Sequence, residues 1–252
     1  MRHIYIILLL FFIGLSAKAE VIPDSLYIRA NRFYSEGRYA EAATLYDSLI
    51  NTGYSAPEVY FNLGNACFKM RQIGKAILNY ERANRLKPFD EDIRFNLQLA
   101  RTYTVDKIES LPEFFLSAWW RSFRSMMDSD HWMILSIVLF IVCLVLYLFF
   151  LFSMRVTLKK IFFTLSVFFL LGSFIAGLSG YRQGREFHAR NEGIVMVSSA
   201  TVKSSPDAGS SDLFVLHEGT KVKIEDAVGN WVEIRIANGN KGWIEFSNLE
   251  II

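Results

Sequence analysis

The residues of this 252-residue chain that could do covalent chemistry are few and scattered. Beyond residue 19 the histidines are His131, His188 and His217, each isolated, and no neighbouring residues complete a Ser-His-Asp, Cys-His or metal-ligand spacing. Cys67 and Cys143 fall in segments of different character, so they should not pair, and neither has a metal-site partner. A glycine-rich phosphate loop is absent as well. The chain therefore reads as non-enzymatic, with no cofactor and no metal. What it does carry is recognition chemistry. Asn31, Asn62 and Asn65 can read a peptide backbone through their amides, Tyr27, Tyr34, Phe61 and Phe68 offer aromatic faces, and Lys69 adds a cation. A second group, Ser205, Pro206 and Asp207 with Trp231 and Trp243, lies near the C-terminus.

The first group needs a helical frame. Ala42 and Ala76, Tyr46 and Tyr80, and Leu49 and Ala83 each recur after 34 residues, the period of the tetratricopeptide repeat. Residues 57–90 carry the pattern best, with Tyr60, Leu63, Gly64, Cys67, Ala76, Tyr80, Ala83 and Pro88 in the places of its large, small and terminal residues. Residues 23–56 keep Ala30, Phe33, Gly37, Tyr39, Ala42 and Tyr46 but lack the closing proline. Small residues let two antiparallel helices approach, tyrosines fill the groove between hairpins, and proline ends the second helix. Asp90 is expected to cap a further helix over 91–105, with apolar Ile93, Phe95, Leu97 and Leu99 covering the open end. The repeat domain then spans 20–106.

Resemblance to this repeat family implies a concave face lined by the first helix of each pair. Tyr27, Asn31, Tyr34, Phe61, Asn62, Asn65, Phe68 and Lys69 should form it and bind a partner protein. The aromatic members serve equally well as interhelix packing. Asparagine is a poor helix former at interior positions, which favours a binding role for Asn31, Asn62 and Asn65. Relatives that clamp a C-terminal carboxylate use cations where this chain has Tyr27, Asp92 and Asn96, so capture of acidic tails is not expected.

Residues 191–252 change to short β-rich runs at Ile194–Ser198, Thr201–Lys203, Lys221–Glu225, Trp231–Ile236 and Gly242–Glu245. The order Val202-Lys203-Ser204-Ser205-Pro206, Leu216-His217-Glu218-Gly219-Thr220, Asn230-Trp231-Val232-Glu233-Ile234 and Asn238-Gly239-Asn240-Lys241-Gly242-Trp243-Ile244 resembles a bacterial SH3 domain, implying a small β-barrel. Asn238-Gly239 and Gly219 supply tight turns. By that resemblance Ser205, Pro206 and Asp207, with Trp231 and Trp243, are the candidate site for a peptide or cell-wall fragment.

Between the two arms lie charge-free apolar runs, assigned as transmembrane helices at 132–153 and 161–181. The short link holding Arg155, Lys159 and Lys160 makes them a hairpin whose flanks emerge on one side. Ser173, Ala176, Gly177 and Gly180 allow close approach, either closing the hairpin or dimerising the chain. Residues 112–128 set Phe115, Leu116, Trp119, Trp120, Phe123 and Met127 opposite Glu113, Ser117, Arg121 and Arg124, an amphipathic helix for the membrane interface. Residues 1–19 read as a signal peptide, with Arg2 before an apolar stretch and Ala17-Lys18-Ala19 at its end. Translocation places both arms in the periplasm of a bacterial inner membrane, and the cationic link agrees with the positive-inside tendency. Arg121, Arg124, Arg182, Arg185 and Arg190 run against it.

Charge sorts the segments further. Residues 20–110 hold 12 basic and 12 acidic residues, and residues 191–252 hold 5 and 9. The basic excess sits in the leader, with two basic and no acidic residues, and in 111–190, with 8 against 4, and arginines beside apolar spans suit anionic lipid headgroups. The clustered basic face that nucleic acid requires is lacking.

Leader, repeats, interfacial helix, membrane hairpin and SH3 domain together make a multi-domain α plus β membrane protein. In this order, and through the Tyr60–Pro88 and Leu216–Ile244 motifs, the chain resembles the BatE-type proteins of the Bacteroides aerotolerance operon. That resemblance implies a non-catalytic scaffold in an envelope complex linked to oxygen or stress tolerance, alongside von Willebrand A domain membrane proteins and a MoxR-type ATPase. The alternative is an envelope sensor whose SH3 domain binds peptidoglycan or an exported peptide.

Overall fold

The computed structural model describes residues 24–109, 111, 114–188 and 191–252, with the side chains of 186–188 left aside. The expected leader at 1–19 lies outside the described residues, as do Glu113 and Arg190. The chain divides into two compact units between Tyr103 and Thr104.

The first unit is a stack of antiparallel helices: α1 (Asp24–Ser35), α2 (Tyr39–Asn51), α3 (Pro57–Lys69), α4 (Ile73–Leu86) and α5 (Glu91–Arg101). The 34-residue period is written into its backbone. After α1, Arg38 N–H donates to the Phe33 carbonyl at 2.9 Å, and after α3, Gln72 N–H donates to the Cys67 carbonyl at 3.0 Å. Both turns need a left-handed residue, filled by Gly37 (φ 77°) in the first and by Arg71 (φ 62°) in the second. Ala42, Tyr46, Leu49, Val59, Leu63, Ala76, Ile77 and Tyr80 form the buried seam. Asp90 caps α5 as expected, its Oδ1 accepting from the amides of Asp92 (3.1 Å) and Ile93 (3.2 Å). The expected apolar face of α5 is corrected. Ile93, Leu97 and Ala100 are buried, whereas Phe95 is 66% and Leu99 38% exposed. The buried three recur at intervals of three and four residues, the helical period, whereas Phe95 and Leu99 follow an alternating one.

In the second unit, α6 (Phe115–Arg124) precedes two long helices, α7 (Ser129–Phe152) and α8 (Val156–His188). The last two are long and apolar enough to cross a membrane, and only 6% and 17% of their most apolar windows are buried. A core helix of a water-soluble domain would be mostly covered. The link is shorter than the sequence suggested. Lys159 and Lys160 already lie within α8, and no Gly or Pro interrupts 156–161. The small residues close this hairpin on itself: Ser136 and Ser173 exchange hydroxyl-to-carbonyl bonds of 2.9 Å. A Cβ at Gly180 would lie 3.0 Å from the Ser129 carbonyl oxygen.

The C-terminal part is a seven-stranded antiparallel sheet of order β3-β2-β6-β5-β4-β1-β7. Its strands are β1 (Glu192–Val195), β2 (Ser199–Lys203), β3 (Asp212–His217), β4 (Lys221–Val228), β5 (Trp231–Arg235), β6 (Lys241–Glu245) and β7 (Leu249–Ile251). The expected barrel is not closed by strand pairing, since β3 and β7 remain edges. The sheet still encloses one core. Leu216 of β3 and Leu249 of β7 belong to the same buried cluster as Val202, Val222, Ile234 and Ile244. Strands β3 and β7 were absent from the expected runs. β3 carries apolar Leu213 and Val215 on its exposed face between Phe214 and buried Leu216, so its sequence shows no polar alternation, and β7 is only three residues long.

Candidate functional site

Asparagines on the first helices meet tyrosines on the second helices in a ladder that repeats with the chain. In the first rung Asn31 Oδ1 accepts from the Tyr46 hydroxyl (2.6 Å) and from Asn62 Nδ2 (3.1 Å). In the second, 34 residues on, Asn65 Oδ1 accepts from the Tyr80 hydroxyl (2.7 Å) and from Asn96 Nδ2 (2.9 Å). Asn62 Nδ2 also donates to the Tyr27 hydroxyl at 3.1 Å. Each rung therefore ties a helix hairpin to the first helix of the next, and offsets the poor helix propensity of Asn with bonds that a half-buried surface strengthens. Asn96 belongs to the same set. Its position, 34 residues after Asn62, was the sequence signal that would have found it.

The rungs use one amide atom of each asparagine. Among the described residues, Asn31 Nδ2, Asn62 Oδ1, Asn65 Nδ2 and Asn96 Oδ1 take no protein partner, leaving donors and acceptors in alternation. A peptide backbone presents the same alternation. The aromatic residues are engaged with neighbours: Tyr34 packs edge-on to Tyr39 (5.3 Å between centroids), Phe61 against Tyr80 (5.9 Å), Phe68 edge-on to Tyr103 (5.4 Å) and Tyr27 against Tyr46 (6.2 Å). Lys69 is exposed at the end of α3. Cys67 is buried in the same seam, and desolvation pushes its thiol up to about 11, which makes it an inert packing residue.

In the C-terminal sheet the register places Trp231, Glu233 and Arg235 of β5 across from Glu245, Trp243 and Lys241 of β6. The two tryptophans thus sit on one outer face, diagonal to each other. Trp243 also pairs with Lys203 at the base of the 204–211 loop, so the structure joins it to the expected Ser205-Pro206-Asp207 segment. That loop is folded onto itself. Asp207 Oδ1 accepts from the Gly209 amide (3.0 Å), and the Ser210 hydroxyl donates to the carbonyls of Asp207 (2.7 Å) and Ser205 (3.0 Å). Trp231 instead lines a separate groove of about 710 Å³ with Ile224, Asn230, Glu245, Phe246 and Ile251. At the other end of the β5–β6 ladder Glu225 holds Arg235 through two bonds (2.6 and 3.0 Å) and also meets Lys241. Arg235 first and Lys241 second hold its carboxyl down to about 2.

His217 is not isolated. Asp106, 111 residues earlier, accepts from its amide (2.7 Å) and lies 2.7 Å from its Nδ1. The Thr220 hydroxyl donates to the same carboxylate at 2.6 Å. This is no nucleophile-base arrangement, because the hydroxyl bonds the carboxylate rather than the imidazole. His131 similarly faces Asp128, the N-cap of α7, at 2.5 Å.

Comparison with protein families matches a tetratricopeptide repeat over residues 57–90 and a bacterial SH3 domain over residues 198–250. The chain joins two binding modules. Both kinds of module typically bind proteins or cell-wall material rather than catalyse, and no enzyme family is indicated. No curated protein matches the chain.

Proposed function

We propose that this chain is a non-catalytic scaffold of a bacterial envelope complex, holding a partner protein on the asparagine face of its repeats. The observation that carries the reading is the asparagine ladder, whose second amide edges stay available after the rungs are made. The α7–α8 hairpin anchors it in the inner membrane, with the repeats and the SH3 domain on the periplasmic side. Outward-facing Phe168 and Phe174, among many exposed apolar residues of α7 and α8, favour lipid as their surroundings. Exposed Phe115, Leu116 and Trp119 on α6 suit the headgroup boundary. With the BatE-type resemblance, the complex is one for aerotolerance or stress, and the von Willebrand A domain membrane proteins of that operon are the candidate partners.

Asn65→Asp is the decisive variant. It keeps the acceptor for Tyr80 and Asn96 but replaces the free Nδ2 donor with an anion. Tagged full-length protein from gently solubilised membranes should lose its stoichiometric partner on this change, while amide exchange across α3–α5 stays as in the wild type. Undiminished recovery would remove the asparagine face as the site.

A second reading, an envelope sensor, has support from the groove beside Trp231. Full-length protein in detergent should then sediment with purified sacculi and cease to do so as Trp231→Ala. Failure to sediment across salt and pH counts against it.

A further inference from the structure

The segment between the repeats and α6 lies on the SH3 domain as a bound peptide would. Asp106 is 13% exposed, and its two oxygens are met by three donors from the turn joining β3 to β4: the His217 amide, the His217 ring and the Thr220 hydroxyl. Thr220 is itself buried. Two residues on, Ile108 packs against the domain's core cluster. Leu111 then donates its amide to the Ala237 carbonyl at 3.2 Å. Its side chain rests on the β5–β6 turn, where a Cβ at Gly239 would lie 2.8 Å from Leu111 Cδ1. Gly239 has φ 90°, so glycine there serves both the turn and the seat for Leu111.

We propose that the β3–β4 and β5–β6 turns form a peptide site reading Asp-x-Ile-x-x-Leu, and that the chain's own residues 106–111 are its resident ligand. The contacts have the form of sequence-selective peptide recognition: a charge-assisted anchor, an apolar anchor and a backbone bond at fixed spacing. A partner's extended segment with an aspartate and a branched residue two places on enters only by displacing this strap. Tethering gives the strap an effective concentration in the millimolar range, so the site is closed by default. This site is distinct from the Trp231 groove and from the asparagine face, and its test leaves both readings above untouched.

The test uses full-length protein in detergent and a fluorescein-labelled synthetic peptide with the sequence of residues 103–112, followed by anisotropy. Asp106→Ala protein should bind the peptide at least about tenfold more tightly than wild type, since the tethered competitor is weakened. A peptide with alanine for its aspartate should not bind, and adding Thr220→Val to Asp106→Ala should abolish binding. In parallel, hydrogen exchange should show the His217 and Leu111 amides protected in wild type and released in Asp106→Ala, with the β4–β5 ladder unchanged. Binding indifferent to the aspartate, no binding up to about 1 mM, or His217 and Leu111 amides exchanging equally in both proteins would overturn the proposal.

Discussion

Gly64→Ala sets two effects of known size against each other. Helix propensity favours alanine in α3 by about 1 kcal/mol. Against this, the new Cβ would lie 2.7 Å from Cδ1 and Cε1 of Tyr80 and 3.3 Å from Cγ, where carbon pairs prefer about 3.5–4.0 Å. The ring has little room to yield, being 2% exposed, tied through its hydroxyl to Asn65 at 2.7 Å and packed on Phe61. Overpacking of this kind costs about 1–3 kcal/mol, and loosening the Tyr80–Asn65 bond adds about 1. The first repeat carries Ala30, fully buried, at the equivalent position, so the architecture holds a methyl there when the helices stand apart. The cost is then that of parting α3 from α4, and the net effect is a loss of about 1–3 kcal/mol. Hydrogen exchange of α3 and α4 amides in the full-length protein should quicken by about 5- to 150-fold. On a Tyr80→Leu background, which removes the ring, most of that change should vanish. Slower exchange in Gly64→Ala than in wild type would show that propensity wins and that the Gly64–Tyr80 contact is not tight.

Arg71→Gly should stabilise the repeat unit by roughly 1 kcal/mol, because Arg71 holds a left-handed turn that the first repeat gives to Gly37; exchange of α3–α4 amides should slow about fivefold. Gly242→Ala should destabilise the SH3 domain by about 2–3 kcal/mol, since its Cβ would meet Val202 Cγ1 at 2.5 Å and the Lys203 carbonyl oxygen at 2.8 Å, and β4–β5 amide exchange in the full chain reads this. Burial works to raise the Asp106 carboxyl, yet the bonds from Thr220 and from the amide and ring of His217 outweigh it and hold it below its ordinary value. Its attachment is therefore complete above the free carboxyl's range near pH 4 and is lost as pH falls through the depressed value. The Asp106 carboxyl carbon resonance should titrate with a midpoint below the ordinary carboxyl value of about 4. A midpoint at or above that value would refute this assignment.

The repeat was legible because its period is a packing requirement. Gly64, Ala76 and Tyr80 are sized for one another, and size can be read from residue type. The roles of the asparagines were only half legible. Their presence at interior helical positions showed that something offsets a poor propensity, but the bonds from Asn62 to Asn31 and from Asn96 to Asn65 cross between helices and exist only once the hairpins stack. β3 was hidden because an edge strand with Leu213 50% and Val215 46% exposed has no alternation to display. The His217 site was hidden for a different reason: Asp106 stands 111 residues away, at the end of the segment read as the repeat domain.

The asparagines show why a structural and a binding role need not compete. A carboxamide offers a donor edge and an acceptor edge, and one rung consumes only one of them. Asn65 spends its oxygen on Tyr80 and Asn96 and keeps its nitrogen, while Asn62 spends its nitrogen on Tyr27 and Asn31 and keeps its oxygen. The spent edges fix each amide in orientation before any partner arrives, so less side-chain entropy is lost on binding. Alanine at either position would remove the rung together with the binding edge and could not tell the two roles apart. On the proposed reading, aspartate at Asn65 separates them, because it keeps an acceptor for Tyr80 and Asn96 and replaces the donor edge.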